Sequence, residues 1–129
     1  MNDELYRDYI LEHYKEPQNF GELEPHDLEA HDVNPLCGDE LGVHLRVDDD
    51  GTITEIAFHG KGCAISQASA SIASEEYIGM KVDDVTKLTY GWIEDLLGID
   101  ISPTRQKCAQ LNLKVMRGAI TGDASWPDE

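Results

Sequence analysis

The chain has 129 residues and a mass of 14.4 kDa, so we expect residues 1–129 to form a single domain. Its 26 acidic and 10 basic residues give a formal net charge of -16, which would repel a phosphate backbone and argues against nucleic-acid binding. It contains neither the roughly 20 consecutive apolar residues of a membrane helix nor a signal-peptide pattern at Met1, which predicts a cytoplasmic protein without a membrane partner.

The first predicted element is an amphipathic helix from Leu5 to Tyr14. Its apolar residues recur at helical spacing, and Pro17 ends the pattern. Residues 17–36 contain three prolines and scattered acids without periodicity, so we expect a long irregular connection there.

Two strands are predicted next. Apolar and other residues alternate from Leu41 to Val47, which is typical of a half-buried strand. Residues 48–51, three aspartates and a glycine, supply a turn, and a second strand follows over Thr52–His59.

The rest of the chain is predicted to be helical. A glycine-flanked turn at 60–63 precedes a helix that ends near Gly79, and a second helix covers Thr89–Leu97. Ser102 and Pro103 begin a last helix that is expected to end near residues 117–118. This order of helix, strands and helices favours an α+β fold over a doubly wound sheet.

Three cysteines are the candidate chemical residues. An odd number in a reducing compartment favours buried thiols, metal ligands or reactive thiolates over disulfides. Cys63 precedes a helix N-terminus and Cys108 lies in a basic segment, and both environments favour a thiolate. Together with Cys37 and Asp39 they offer four donors that suit Zn²⁺ or one end of an iron-sulfur cluster, although each cysteine taken alone is more typical of a small buried core residue than of a ligand.

Three motifs, each around one cysteine, resemble the U-type iron-sulfur assembly proteins, the IscU/SufU family. The N-terminal helix and the residues from Pro17 to Gly21 are similar to that family too, so the resemblance extends from Leu5 to about Ala119. The motifs are Asn34-Pro35-Leu36-Cys37-Gly38-Asp39, the run from Gly60 to Ser71 around Cys63, and Pro103-Thr104-Arg105-Gln106-Lys107-Cys108-Ala109.

The resemblance implies an α+β fold in which a small antiparallel sheet carries helices on one face. It also implies a metal or cluster site at Cys37, Asp39, Cys63 and Cys108. The partners it implies are a pyridoxal-phosphate cysteine desulfurase and downstream iron-sulfur assembly or recipient proteins.

The residue before the last cysteine separates two branches of the family. The scaffold-type IscU branch has a histidine there, whereas this chain has Lys107. Arg105-x-Lys107-Cys108 instead resembles the SufU branch, which binds zinc and accepts sulfane sulfur, although the usual SufU insertion before this motif is missing. We therefore expect this protein to be a sulfur acceptor that resembles the SufU branch more closely than the IscU branch.

Three functions remain open at this point. In the first, zinc is held by the four residues and Cys37 accepts a persulfide sulfur, which would make the protein a zinc-dependent sulfurtransferase. In the second, Cys37, Cys63 and Cys108 hold a [2Fe-2S] cluster on a scaffold that is not an enzyme. In the third, zinc only stabilises an acidic adaptor; a carboxylate ligand argues against this, because we would expect four thiols or histidines in a structural site.

Other polar side chains are interpreted as structural. His13 and His44 are expected to be surface or hydrogen-bonded core residues, whereas His26 and His31 lie in an acidic segment and are expected to be solvated. The serines of residues 66–74 are interpreted as a small-residue packing face, because no adjacent base would activate them as nucleophiles.

Overall fold

The structure is a computed structural model that describes residues 3–35, 38–123 and 126. A helix comes first, three strands follow, and the remaining elements are helical. The elements are α1 Asp3–Lys15, β1 Leu28–Asn34, β2 Asp39–Val47, β3 Ile53–Lys61, α2 Ala64–Tyr77, α3 Val82–Val85, α4 Tyr90–Leu97, a 3-10 turn Pro103–Arg105 and α5 Gln106–Thr121. None of the helices in these described ranges has the length and apolar character needed to cross a bilayer.

The three strands form one antiparallel sheet in the order β1-β2-β3. In the register of the first pair, Asn34 faces Asp39 across the turn between β1 and β2. In the second pair, Glu40 faces Lys61 at the end of β3. One end of the sheet therefore gathers the β1–β2 turn and the residues that lead from β3 into α2.

The core lies between the sheet and the helices α2 and α5, and α1 packs on the outside of α2. The alternation predicted for β2 buries Leu41, Val43 and Leu45, which meet apolar residues of α5. The helices cover one face of the sheet, whereas the segment before β1 crosses the other face, where the ring of His26 stacks on that of His44. The α+β prediction, with a small antiparallel sheet and helices on one face, is confirmed.

The polar residues of α2 attach this helix to its neighbours. The His13 ring on α1 lies 2.7 Å from the Ser71 hydroxyl. Ser69 donates a hydrogen bond to the Ala109 carbonyl of α5 at 2.7 Å. His13 is thus a hydrogen-bonded core residue and the serines form a packing face, as the sequence indicates.

Strand β1 and the end of the last helix differ from the sequence predictions. Residues 28–34 are predicted to be irregular but form strand β1. They do so because they pair with the edge of β2 and pack against helix α5. The last helix continues past Gly118 to Thr121. The residue that caps the helix is Gly122 and not Gly118. Gly122 takes the left-handed conformation, with φ of 79°, that is typical of a helix C-terminus.

Candidate metal centre

Three of the four predicted ligands converge at the end of the sheet, each from a different element. Asp39 is the first residue of β2, Cys63 caps the N-terminus of α2, and Cys108 lies in the first turn of α5. One carboxylate oxygen and the two sulfur atoms all lie within 4.8 Å of one another. The fourth predicted ligand, Cys37, lies outside the described residues.

The Asp39 side chain is oriented by a backbone hydrogen bond. Its carboxylate is buried, with the residue only 1% exposed. Oδ1 accepts the backbone N–H of Cys63 at 2.8 Å, and Oδ2 lies 3.7 Å from Cys63 Sγ. The bond to Oδ1 therefore holds the second oxygen beside the thiol.

A glycine allows this close approach. A Cβ atom placed on Gly62 would lie 2.5 Å from both Asp39 Oδ1 and the Ser66 hydroxyl oxygen. Ser66 in turn donates to the Cys63 carbonyl at 3.1 Å, across the first turn of α2. The sequence marks residues 60–63 as a glycine-flanked turn, but only the structure shows that Gly62 makes room for the carboxylate.

The two described cysteines differ in their surroundings. Cys63 is half-buried, whereas Cys108 is 0% exposed. Both lie at helix N-termini, as the sequence predicts for Cys63. The Asn34 side-chain nitrogen lies 3.7 Å from Cys108 Sγ. Asn34 belongs to the first cysteine motif, yet its contact with the last cysteine depends on tertiary structure and is not predictable from spacing.

The lysine directly before Cys108 contacts an aromatic ring. Lys107 is exposed, and its ammonium lies 5.1 Å from the centre of the Trp126 ring. Lys114, about two turns further along α5, lies at the same distance from that ring. The last helix is predicted to begin at Ser102 and Pro103, but Pro103–Arg105 form a 3-10 turn and α5 begins at Gln106, which places Cys108 in its first turn.

A second group of candidate ligands, formed by Glu24, His26 and His44, does not suit a metal ion. The two imidazole rings are stacked, with centroids 3.9 Å apart and planes 12° apart. Ring nitrogen lone pairs lie in the ring plane, so two parallel rings cannot both direct one at a single ion. His44 Nδ1 already accepts the backbone N–H of Leu23 at 3.1 Å.

The His26 ring is instead hydrogen-bonded at both of its nitrogens. His26 Nδ1 donates to the Leu23 carbonyl at 2.8 Å, and Nε2 lies 2.8 Å from a Glu29 oxygen. The bond to the carbonyl raises the pKa of His26 above its ordinary value, and the nearby Glu29 and Glu24 carboxylates raise it further despite the opposing effect of burial. The prediction that His26 is merely solvated is therefore wrong, because the segment folds back onto the sheet and its ring is bonded at both nitrogens.

The chain is similar to a known protein family and to several named proteins. Residues 5–123 match the model of the NifU-like N-terminal domain. The zinc-dependent sulfurtransferase SufU of Bacillus subtilis is 32% identical, over 92% of this chain and 90% of that protein. An iron-sulfur cluster assembly scaffold protein of Archaeoglobus fulgidus, IscU 1, is 30% identical, over 90% of this chain and 74% of that protein.

The fold of this chain is also similar to that of a solved structure. The crystal structure of a SufU protein from Fervidobacterium islandicum AW-1, described as an iron-sulfur cluster assembly scaffold protein for the SUF system, is similar with a TM-score of 0.78. It is 26% identical to this chain, and the match covers 94% of this chain and all of that one. The family match and the identities to SufU and IscU proteins confirm the resemblance seen in the three cysteine motifs, and the chain belongs to the NifU-like N-terminal domain family.

Proposed function

We propose that this protein acts in iron-sulfur cluster assembly by accepting sulfane sulfur from a cysteine desulfurase at a metal site. The proposed ligands are Cys37, Asp39, Cys63 and Cys108. The observation that carries the proposal is the convergence of a buried carboxylate and two thiols from three separate elements. The identity to a protein named zinc-dependent sulfurtransferase supports it.

The described donors fit zinc. Bond lengths of about 2.0–2.3 Å in a tetrahedron place neighbouring ligand atoms roughly 3.3–3.8 Å apart. Asp39 Oδ2 and Cys63 Sγ are separated by 3.7 Å. Cys37 precedes Asp39 by two residues, which limits the distance between their Cα atoms to roughly 7 Å. A fourth ligand from that position completes a set of three sulfurs and one oxygen.

Cys37 is the residue that reacts with the desulfurase persulfide in the proposed mechanism. When bound, zinc would keep the cysteines deprotonated and shield them from oxidation. The Cys37 thiolate attacks the outer sulfur of the desulfurase persulfide; a new S–S bond forms on Cys37, the S–S bond of the partner breaks, and the partner cysteine leaves as a thiolate. Gly38, with φ of 74°, follows Cys37 and provides a backbone conformation that other residues rarely adopt.

A cluster scaffold is the second candidate function, because the same three cysteines would ligate a [2Fe-2S] cluster. The identity to IscU 1 of Archaeoglobus fulgidus supports it. Lys107, at the position where the resemblance leads us to expect a histidine in scaffold-type members, favours sulfur transfer.

A single-turnover sulfur transfer assay tests the proposal. The cysteine desulfurase of the same organism, carrying its persulfide, is mixed anaerobically with this protein, and each cysteine peptide is examined by mass spectrometry. We expect one added sulfur on Cys37, no transfer to Cys37→Ala, and normal transfer to Thr54→Ala, an exposed control on β3 outside the three cysteine motifs. Absence of added sulfur on every cysteine, or its appearance on Cys63 or Cys108 with Cys37 unmodified, would overturn the proposal.

A further inference from the structure

We propose that Asn34 is a positioning residue that donates an N–H···S hydrogen bond to Cys108 and makes this cysteine the fixed anchor of the metal site. The inference rests on the proposed metal-binding function and concerns a side chain that is not itself a ligand. Cys108 would hold the metal throughout, while another cysteine of the site exchanges sulfur.

Asn34 is held in place by the sheet and by the β1–β2 turn. It is the last residue of β1, faces Asp39 in the sheet register, and is 1% exposed. Its carbonyl accepts the backbone N–H of Gly38 at 2.8 Å, which closes the β1–β2 turn. The side-chain nitrogen lies 3.7 Å from Cys108 Sγ, within the range of an N–H···S bond.

The contact between Asn34 and Cys108 matters because the Cys108 sulfur is buried. A thiolate removed from water loses its hydration and needs donors in the protein to compensate. Cys108 is fully buried on α5 and receives the Asn34 amide. Cys63 is half-buried, and in the described part of the chain its sulfur is paired with the Asp39 carboxylate, which offers an acceptor and no N–H.

The hydrogen bond withdraws electron density from the Cys108 sulfur and fixes its direction. A sulfur with less electron density is a poorer nucleophile, so Cys108 is suited to hold the metal while another thiol exchanges sulfur. Partners that hydrogen-bond to ligand atoms orient them, and their loss typically lowers metal affinity by roughly 10–100-fold. Asn34 thereby couples the β1–β2 turn, which precedes Asp39, to the ligand on α5.

Cobalt substitution tests this role, because Co²⁺ bound to thiolates has charge-transfer bands whose energy reports sulfur donation. The variants are Asn34→Leu, which keeps the volume without the N–H, and Asn34→Ala. The control is Asn112→Ala, a buried asparagine on α5 whose amide donates to Ser69 instead of sulfur. Zinc affinity is measured in parallel by competition with a chromophoric chelator, and circular dichroism checks folding.

We expect both Asn34 variants to shift the charge-transfer band to lower energy and to bind zinc roughly 10–100-fold more weakly. Asn112→Ala should leave the band unchanged. An unshifted band and unchanged affinity in a folded Asn34 variant would overturn the inference while leaving the metal site intact. Failure of both Asn34 variants to fold would overturn it too, because it would assign Asn34 a purely structural role. If the natural chain bound neither Co²⁺ nor Zn²⁺, the proposed metal site itself would be contradicted.

Discussion

Gly62 shows how strongly one residue can determine the geometry of the candidate site. The space that a side chain would occupy is filled by the Asp39 carboxylate and the Ser66 hydroxyl, both 2.5 Å from the position of a Cβ atom. Any larger residue must displace the carboxylate or distort the start of α2. The conformational freedom of glycine matters less here than its small size.

We therefore predict that Gly62→Ala destabilises the fold by about 1–3 kcal/mol, the usual cost of overpacking, and weakens zinc binding. Urea unfolding and chelator competition measure the two effects. Gly118→Ala is the matched control, because its Cβ would meet only Ala30 at an ordinary 3.7 Å and alanine favours the helix. Equal stability and zinc affinity in Gly62→Ala and the natural chain would contradict this explanation.

The ligand residues could be predicted at the residue scale, but their supporting residues could not. Asp39, Cys63 and Cys108 stand in motifs whose residue types indicate metal chemistry. Asn34 stands in one of those motifs too, but its contact with Cys108 joins residues 74 positions apart. Such a contact depends on how β1 and α5 pack, which no local pattern specifies.

At the scale of elements, the sequence predicts best the helices and strands that carry a clear local residue pattern. The alternation in β2 and the helix-terminating Gly98 after α4 place these elements within a few residues of their observed bounds. Strand β1 lacks such a signal, because two of its four inward-facing positions, Asp32 and Asn34, are polar. Lys114 of α5 pairs with the Asp32 carboxylate. Burial alone would raise the pKa of Asp32, but the hydrogen bonds from Lys114 and the Val33 backbone, together with the nearby positive charge of Lys114, lower it.

The segment that leads into β1 provides a pH-dependent contact with the sheet. The pKa of His26 in the folded protein lies above its ordinary value of 6.5, so folding favours the protonated ring. This contribution to stability is complete below about pH 6.5 and is lost as pH rises through the folded-state pKa.

We predict that the difference in unfolding free energy between the natural chain and His26→Asn decreases as pH rises from about 5.5 to about 8. Urea unfolding at a series of pH values, with a chelator present, measures it. His31→Asn, an exposed position on the same face of the sheet, is the control. A difference that stays constant or grows over this range would show that the His26 proton does not stabilise the segment.

At the scale of the whole molecule, charge governs how partners approach. A net charge of -16 on 129 residues attracts a basic surface over a long range, and salt screens that attraction. We predict that association with the desulfurase, measured by stopped-flow fluorescence, slows by about tenfold between low and high salt. The charge-reduced variant Asp49→Asn/Asp50→Asn should show a weaker dependence. A rate that does not respond to salt would rule out electrostatic steering by this surface.

The most direct test of the central claim is the metal content and visible spectrum of protein purified without oxygen and without added metal. The account predicts about one zinc per chain, no visible absorption, and loss of the zinc in Cys63→Ser. Iron with a matching amount of acid-labile sulfide and visible absorption would identify a cluster scaffold instead of a zinc-dependent sulfur acceptor. Absence of both metals would contradict the metal site itself.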